Sequence, residues 1–263
     1  DLIASQLETL KNVVAEGGNI YILTHKGAGL DGITERNHQV FPSWSETEPI
    51  ERGRGGFRIF RISPTPLDHS AELKSEAKKV QVNILGKSFV VETYPSLFSS
   101  SEIDRGTRLL VETVAERETG QDQRILDVGC GWGAIGLSWA MAHPKGDITM
   151  IDVDFRAVEA SMKNIELLGL ANRAKALITP DLKTTPIGSF DLVISNPPFH
   201  ASERVLDELF QGVRDKMNKK ANFWIVVEKT YLDKFEELMR KTFGHVSQEV
   251  KDKDGYYILR SQK

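Results

Sequence analysis

The sequence predicts an α/β protein built on a mostly parallel sheet. Beyond about residue 124, short runs of β-branched residues alternate with helical patterns. A glycine-rich turn follows the first of these runs, as is common where a buried strand leads into a helix. The last residues predict two strands around Lys253-Asp254-Gly255, a typical hairpin turn. We therefore expect helices on both faces of the sheet and an antiparallel hairpin at its edge.

The composition limits the class of protein. The chain has 263 residues, of which 40% are hydrophobic and 27% charged, enough for one large domain with a smaller companion. The lone cysteine excludes an internal disulfide and favours a reducing, cytoplasmic compartment. No apolar run is long enough to cross a bilayer, so no membrane partner is predicted. A net charge of -3 means that contact with nucleic acid must come from local patches.

The N-terminal segment, residues 1–63, predicts a partial α/β unit. Apolar residues at helical spacing precede Gly17-Gly18, and strands are predicted at 19–24 and 56–63. Residues 64–79 contain two prolines followed by charged residues, which is typical of a linker. The first residue is Asp rather than Met, so we expect the chain to be a trimmed or internal part of a longer one.

The main domain is predicted to span residues 80–263. It opens with a hairpin at 82–93, and a helix follows, for which Ser101 and Asp104 resemble a capping box. Helices follow each of four predicted strands, which lie at 124–128, 147–153, 190–195 and 222–227. Ligands bind such sheets at the carboxyl ends of the strands, where the strand order reverses. The functional residues are therefore expected just after Val128, Val153 and Ser195.

The ten residues from Asp127 to Gly136 form the glycine-rich turn. Gly129, Gly131 and Gly133 lack a Cβ, so the backbone can turn sharply and approach a ligand closely. The Asp127 carboxylate suits the ammonium group of a methionine moiety and disfavours a pyrophosphate. This pattern predicts a site for S-adenosylmethionine (SAM). The second half of the turn also fits the dinucleotide fingerprint, which leaves a nicotinamide cofactor as a distant alternative.

Two more carboxylates complete the predicted cofactor site. Asp152 ends the next strand, where it can accept hydrogen bonds from both ribose hydroxyls of an adenosine. Asp181 lies in a loop before the following predicted strand, where it can accept an adenine amino proton. Their neighbours Val153 and Leu182, and Cys130 in the glycine turn, are included in this site. No Cys/His group has metal-ligand spacing, so no metal is predicted.

The sequence Asn196-Pro197-Pro198-Phe199 directly follows a predicted strand. An amine conjugated to a ring is a poor nucleophile because its lone pair is delocalised. The Asn196 side-chain oxygen and the Pro197 carbonyl can accept its two protons, and the prolines hold these acceptors in place. Phe199 offers a ring for a planar substrate to stack on. Since a sulfonium is a good leaving group, catalysis is mainly alignment, and the motif predicts N-methylation of an exocyclic amine next to the cofactor.

These motifs resemble the ribosomal RNA small-subunit methyltransferase C family. The resembling stretches cover about 180 residues and are 95–99, 103–110, 125–136, 195–200 and 255–260. The resemblance implies a Rossmann-like sheet of seven strands, SAM as methyl donor and S-adenosylhomocysteine as product. It implies the 2-amino group of a guanine in small-subunit ribosomal RNA as the acceptor, and Thr107 near the methionine end of the cofactor. It also implies that residues 1–63 are the tail of a degenerate methyltransferase-like domain.

Two other functions stay open from the sequence. The same chemistry could act on a protein glutamine or on adenine N6 in DNA. A chain of this kind could instead bind SAM or RNA without turnover, as a module in ribosome assembly. The predicted partner is ribosomal RNA or the small ribosomal subunit. Candidates for RNA contact are His200 and two basic clusters, at 52–61 and 214–220.

Overall fold

A computed structural model of the chain describes residues 20–25, 44–52, 57–64, 77–94, 97–120 and 123–263. Contacts divide the chain into two units, Asp1–Glu76 and Ala77–Lys263. The helix predicted before Gly17 lies outside the described residues, as does most of the predicted linker.

The described part of the first unit is an antiparallel sheet of three strands in the order β1-β3-β2. The strands are β1 (Ile20–His25), β2 (Trp44–Arg52) and β3 (Phe57–Pro64). The predicted strands at 19–24 and 56–63 are confirmed as β1 and β3, whereas β2 was not predicted. A proline within a run argues against a strand, but Pro49 is tolerated because β2 lies at the edge of the sheet.

The described residues of the second unit form nine strands and five α-helices. The strands are β4 (Lys78–Ile84), β5 (Lys87–Thr93), β6 (Arg124–Val128), β7 (Asp147–Asp152), β8 (Ala174–Ile178), β9 (Phe190–Ser195), β10 (Met217–Glu228), β11 (Ser247–Lys253) and β12 (Tyr256–Gln262). The helices are α1 (Arg105–Arg117), α2 (Ala134–Ala142), α3 (Phe155–Leu167), α4 (Glu203–Lys216) and α5 (Leu232–Phe243). A short 3₁₀ turn at Lys229–Tyr231 precedes α5.

Seven of these strands form one sheet in the order β11-β12-β10-β9-β6-β7-β8. The strands from β10 to β8 run parallel, and β12 pairs antiparallel with both β10 and β11. The predicted Rossmann-like sheet with its antiparallel hairpin is therefore confirmed. β4 and β5 form a separate hairpin. The residue pattern missed β8, a short strand that carries two alanines and a lysine, residues that are uncommon in strands.

The central strands are buried on both faces, which explains their nearly continuous apolar runs. In β9, Leu192 and Ile194 point into the core formed with α1, α2 and α3. Val193 between them points into the core formed with α4 and α5. The order of the strands reverses between β6 and β9, so the turns after these two strands lead to helices on opposite faces and leave a crevice between them.

The first helix of the second unit starts at a different cap from the one predicted. Asp104 is the N-cap of α1, and its Oδ2 accepts a hydrogen bond from the Thr107 backbone N–H at 2.9 Å. The predicted capping box that began at Ser101 is wrong by three residues, since Ser101 lies in the preceding turn. A carboxylate at this position is also stabilised by the positive end of the helix dipole.

Asn164 of α3 joins the β4-β5 hairpin to the glycine turn. Its Oδ1 accepts from the Glu92 N–H at 2.7 Å, and its Nδ2 donates to the Glu92 carbonyl at 2.8 Å. The same Nδ2 donates to the Trp132 carbonyl at 3.1 Å. The side chain is fully buried, so water cannot replace these bonds.

Replacing Asn164 with Ala should destabilise the second unit by about 3 kcal/mol, because three backbone groups lose their partner away from solvent. The measurement is urea unfolding, with a lower midpoint at an unchanged slope. Asn172→Ala, at an exposed position, is the control and should change stability by less than about 0.5 kcal/mol. Equal stability of the two variants would contradict this structural role for Asn164.

Candidate active site

The glycine turn after β6 leaves open space beside its backbone. Gly129, Gly131 and Gly133 have φ angles of 73°, 56° and 94°, in the left-handed region that favours glycine. A Cβ on Gly131 would meet no atom within 4 Å, so this residue borders the crevice. A Cβ on Gly133 would lie 2.8 Å from the Leu137 side chain, so that glycine allows close packing of α2.

Asp152 at the end of β7 holds the glycine turn in place. Its Oδ2 accepts from the Gly131 N–H at 3.0 Å, and its Oδ1 accepts from the Asp154 N–H at 2.9 Å. Each carboxylate oxygen can accept a further hydrogen bond, so the group can still bind two hydroxyls. The next residue, Val153, is 73% exposed. A carboxylate beside an exposed apolar side chain suits a ribose that carries a flat ring.

Asp127 is fully buried at the base of the turn. Its Oδ2 accepts from the Gly136 N–H at 2.9 Å, while its buried Oδ1 has no hydrogen-bond partner. Burial raises the pKa of Asp127 to about 7, and the nearby Asp152 carboxylate contributes in the same direction. A buried acceptor without a partner fits a cationic donor, as the sequence predicts for this position.

The other predicted cofactor residues occupy different environments. The Cys130 thiol is buried, with its Sγ 3.5 Å from the Ser161 Oγ, and burial raises its pKa well above the usual range. It is therefore a packing residue and not a reactive thiolate. Asp181 is exposed, and its Oδ1 accepts from the Lys183 N–H at 2.9 Å. The Leu182 side chain is buried in the core on the α4 side of the sheet.

Asn196 lies beside the glycine turn. The Ser195 hydroxyl before it donates to the Val128 carbonyl at 2.7 Å, which ties the end of β9 to the end of β6. The Asn196 carbonyl lies 3.9 Å from the position of a Cβ on Gly129. The Asn196 Nδ2 donates to the Thr107 Oγ1 at 2.9 Å. The predicted cofactor turn, the predicted catalytic amide and Thr107 are thus brought together.

Phe199 is held in an aromatic cluster. Its ring stacks on Tyr231 at a centroid distance of 5.6 Å and meets the edge of Phe235 at 5.9 Å. The Tyr231 hydroxyl lies 2.9 Å from the Nδ1 of His200. Lys234 donates to the Phe199 carbonyl at 3.4 Å. Phe199 remains only half-buried, so part of its ring is accessible.

The sequence did not single out Asp104, Tyr231 or Lys234 as members of this site. Tyr231 and Lys234 follow β10 at the same end of the sheet as Asn196, and this position was the available signal. Asp104 was predicted only as the second member of a capping box that begins at Ser101. Its side chain also lies 3.4 Å from the Asn196 Nδ2.

Among the described residues, no three or more His, Cys, Asp or Glu side chains are grouped closely enough to hold a metal ion. No helix in these parts of the chain is both long and apolar enough to span a bilayer.

The chain is similar to several known proteins. Residues 88–260 match the family model of the methyltransferase small domain. The YbxB protein of Bacillus subtilis is 34% identical over 198 residues, covering 73% of this chain and 94% of that protein. Ribosomal RNA small subunit methyltransferase C of Haemophilus influenzae (strain Rd) is 32% identical over 244 residues, covering 91% of this chain and 69% of the relative.

A solved structure shares the fold. It is a T. thermophilus 16S rRNA N2 methyltransferase in complex with AdoMet and guanosine. It superposes with a TM-score of 0.79 at 22% identity, covering 99% of this chain and 69% of that chain.

Asp127 should make the stability of the protein depend on pH. Its pKa is higher in the folded state, about 7 against 3.8, so the folded state holds the proton and loses stability as pH rises through 7. Asp127→Asn keeps the shape but cannot ionise. Between pH 5 and pH 8, its unfolding free energy should rise relative to wild type by about 3 kcal/mol.

The measurement is urea unfolding of both proteins at the two pH values, without added ligand. All other titrating groups are shared, so their contributions cancel in the difference. A difference that stays constant with pH would show that the Asp127 carboxyl does not titrate in this range.

Proposed function

The chain belongs to the methyltransferase small domain family, as a relative of ribosomal RNA small subunit methyltransferase C, and from this we propose that it methylates N2 of a guanine in small-subunit ribosomal RNA with SAM as donor. The observation that carries this proposal is the position of Asn196, whose backbone carbonyl lies next to the glycine turn. The T. thermophilus relative, solved with AdoMet and guanosine, supports the same pair of ligands.

The residues around the crevice fit SAM. The unpartnered Oδ1 of Asp127 is available to the ammonium group, and Asp152 can accept from the ribose hydroxyls. Gly131 leaves room for the ligand along the backbone, and Val153 offers an apolar contact for the adenine. Asp181 is exposed and can accept the adenine amino proton. When bound, SAM supplies a methyl group on a positively charged sulfur.

The protein's own contribution to the reaction is to hold the amine. The Asn196 Oδ1 and the Pro197 carbonyl would accept hydrogen bonds from the two amino N–H groups, which would aim the nitrogen lone pair at the methyl group. Pro197 is buried and both prolines have a restricted φ, so these acceptors do not need to reorganise. With SAM bound, the amino nitrogen would take the methyl group, S-adenosylhomocysteine would leave, and the displaced amino proton would pass to solvent.

A guanine inside a helix hides its edges in stacking and pairing, so the target base has to be unpaired or turned out of its stack. The accessible part of the Phe199 ring can support such a base. Tyr231 and Phe235 hold this ring in a fixed orientation. The proposed substrate is consistent with a cytoplasmic protein whose partner is the small ribosomal subunit or its RNA.

All residues of this site lie within residues 80–263, which we propose as the catalytic domain. We further propose that residues 1–63 are the end of a preceding methyltransferase-like domain. The Haemophilus relative aligns with 91% of this chain, and 31% of its own length lies outside the match (100% less 69%).

The test is methyl transfer from tritiated SAM to small ribosomal subunits and their free RNA, isolated from cells without this protein. We expect label in the RNA, and mass spectrometry of the digested nucleosides should identify N2-methylguanosine. Label that appears only in protein glutamine or in DNA adenine would keep the chemistry but exclude the proposed substrate. Absence of transfer to every acceptor would favour a binding module without turnover.

Asn196→Ala should lower kcat by about 100-fold, because one of the two acceptors for the amino protons is lost. SAM affinity, measured by calorimetry, should change little, since the rest of the cofactor site stays intact. Unchanged kcat would exclude the proposed role of the Asn196 amide.

Asp152→Ala is the contrasting variant for this experiment. It removes the acceptor for the ribose hydroxyls and the hydrogen bond to Gly131, so it should weaken SAM binding. The two variants therefore separate cofactor binding from alignment of the amine.

A further inference from the structure

Asn196 is bonded to the first turn of α1, 89 residues earlier in the chain. The Asn196 Nδ2 lies 2.9 Å from the Thr107 Oγ1 and 3.4 Å from the Asp104 Oδ2. The same Asp104 oxygen accepts from the Thr107 N–H at 2.9 Å and lies 3.4 Å from the Thr107 hydroxyl. Three side chains therefore form one hydrogen-bonded chain.

The Asp104 carboxylate determines which groups donate and which accept in this series of hydrogen bonds. An ionised carboxylate can only accept hydrogen bonds, so the Thr107 hydroxyl donates to Asp104. The lone pairs of the hydroxyl are then left to accept from Asn196, which has to present its NH2 group. If the Asn196 amide rotated by 180°, its oxygen would lie about 3.4 Å from the Asp104 carboxylate oxygen, and two partial negative charges would repel.

The first turn of α1 is a rigid support for this chain. The Thr107 side chain is only 4% exposed, so little water competes for its hydroxyl. Gly106 next to it packs against Tyr256, because a Cβ at Gly106 would lie 2.8 Å from the Tyr256 ring. Leu110 in the following turn is fully buried in the core. A side chain held by such an element has little freedom to turn.

We propose that Asp104 and Thr107 are positioning residues for methyl transfer, because they hold the Asn196 amide with its oxygen directed at the substrate amine. This inference rests on the proposed function of the Asn196 oxygen. It gives Thr107 a role towards the catalytic amide, in addition to its predicted place near the methionine end of the cofactor. Asp104 serves both as the helix cap and as the group that sets the direction of the hydrogen bonds.

Thr107→Val is the central variant, since it removes the hydroxyl and keeps the shape of the side chain. The amide of Asn196 then loses its hydrogen-bond partner and can rotate. We expect kcat to fall by about 10- to 100-fold, which is the loss typical when a residue that orients a metal ligand is removed. The KM for RNA should stay within about threefold of wild type, because the RNA loses no contact. The affinity for SAM is measured separately, because Thr107 is also predicted to lie near the methionine end of the cofactor. Thr107→Ser keeps the hydroxyl and should restore most of the activity.

Thr113→Val is the matched control. Thr113 is also a buried threonine of α1, and its hydroxyl donates to the Leu109 carbonyl at 2.7 Å within the same helix. This control also loses a threonine hydroxyl from α1, but that hydroxyl makes no hydrogen bond to Asn196. Its kcat should equal that of wild type, whereas its melting temperature should shift about as much as that of Thr107→Val.

The Asp104→Asn variant tests whether the carboxylate determines the orientation of the Asn196 amide. Asparagine caps helices as well as aspartate does, so α1 should remain intact. Its amide can donate as well as accept, and the Asn196 amide is then no longer restricted to one orientation. We expect kcat to fall by about tenfold at an unchanged affinity for SAM.

A double-mutant cycle decides whether the effect passes through Asn196. If Thr107 acts only by orienting that amide, Thr107→Val should cause no further loss in the Asn196→Ala background. Additive losses, or a weaker affinity for SAM at unchanged kcat, would overturn the positioning role. A wild-type protein that methylates no RNA would instead defeat the proposed function itself.

Discussion

The site depends on the parallel pairing of β6 with β9. Val128 and Ser195, the last residues of these strands, are paired in register, and the Ser195 hydroxyl donates to the Val128 carbonyl at 2.7 Å. The turns that follow therefore start side by side, although they lead to helices on opposite faces. The glycine turn and the Asn-Pro-Pro-Phe turn meet for this reason, and no movement of the domain is needed to bring them together.

The architecture of the second unit was largely predictable from the sequence, because its central strands are buried on both faces and form continuous apolar runs. Strands whose residues do not show a clear β pattern were not predictable from the sequence. β8 carries few β-branched residues, and β2 contains Pro49 at a sheet edge, where a missing N–H has no consequence. β10 begins at Met217, five residues before the predicted strand, and its pairing with β9 shifts register between Met217 and Asn222. Such a shift has no local signal in the sequence.

The site was predictable where its residues follow strand ends. The glycine turn, Asp152 and the Asn-Pro-Pro-Phe motif all lie where the order of predicted strands places them. The contacts of these residues with side chains distant in sequence were not predictable. Asp104 carries the ordinary signal of a helix cap, and nothing in that signal shows that its carboxylate also faces Asn196, 92 residues later. The stacking of Tyr231 on Phe199 depends likewise on tertiary packing.

β12 is the last strand in chain order, yet it lies inside the sheet between β10 and β11. Its first residue, Tyr256, packs against Gly106 in the turn that supports Asn196. During translation, Gly106 and Asn196 leave the ribosome long before Tyr256 does. A nascent chain that lacks β12 has an open edge at β10 and lacks the Tyr256 ring that packs against Gly106. The packing that supports Asn196 is therefore complete only after β12 has been synthesised.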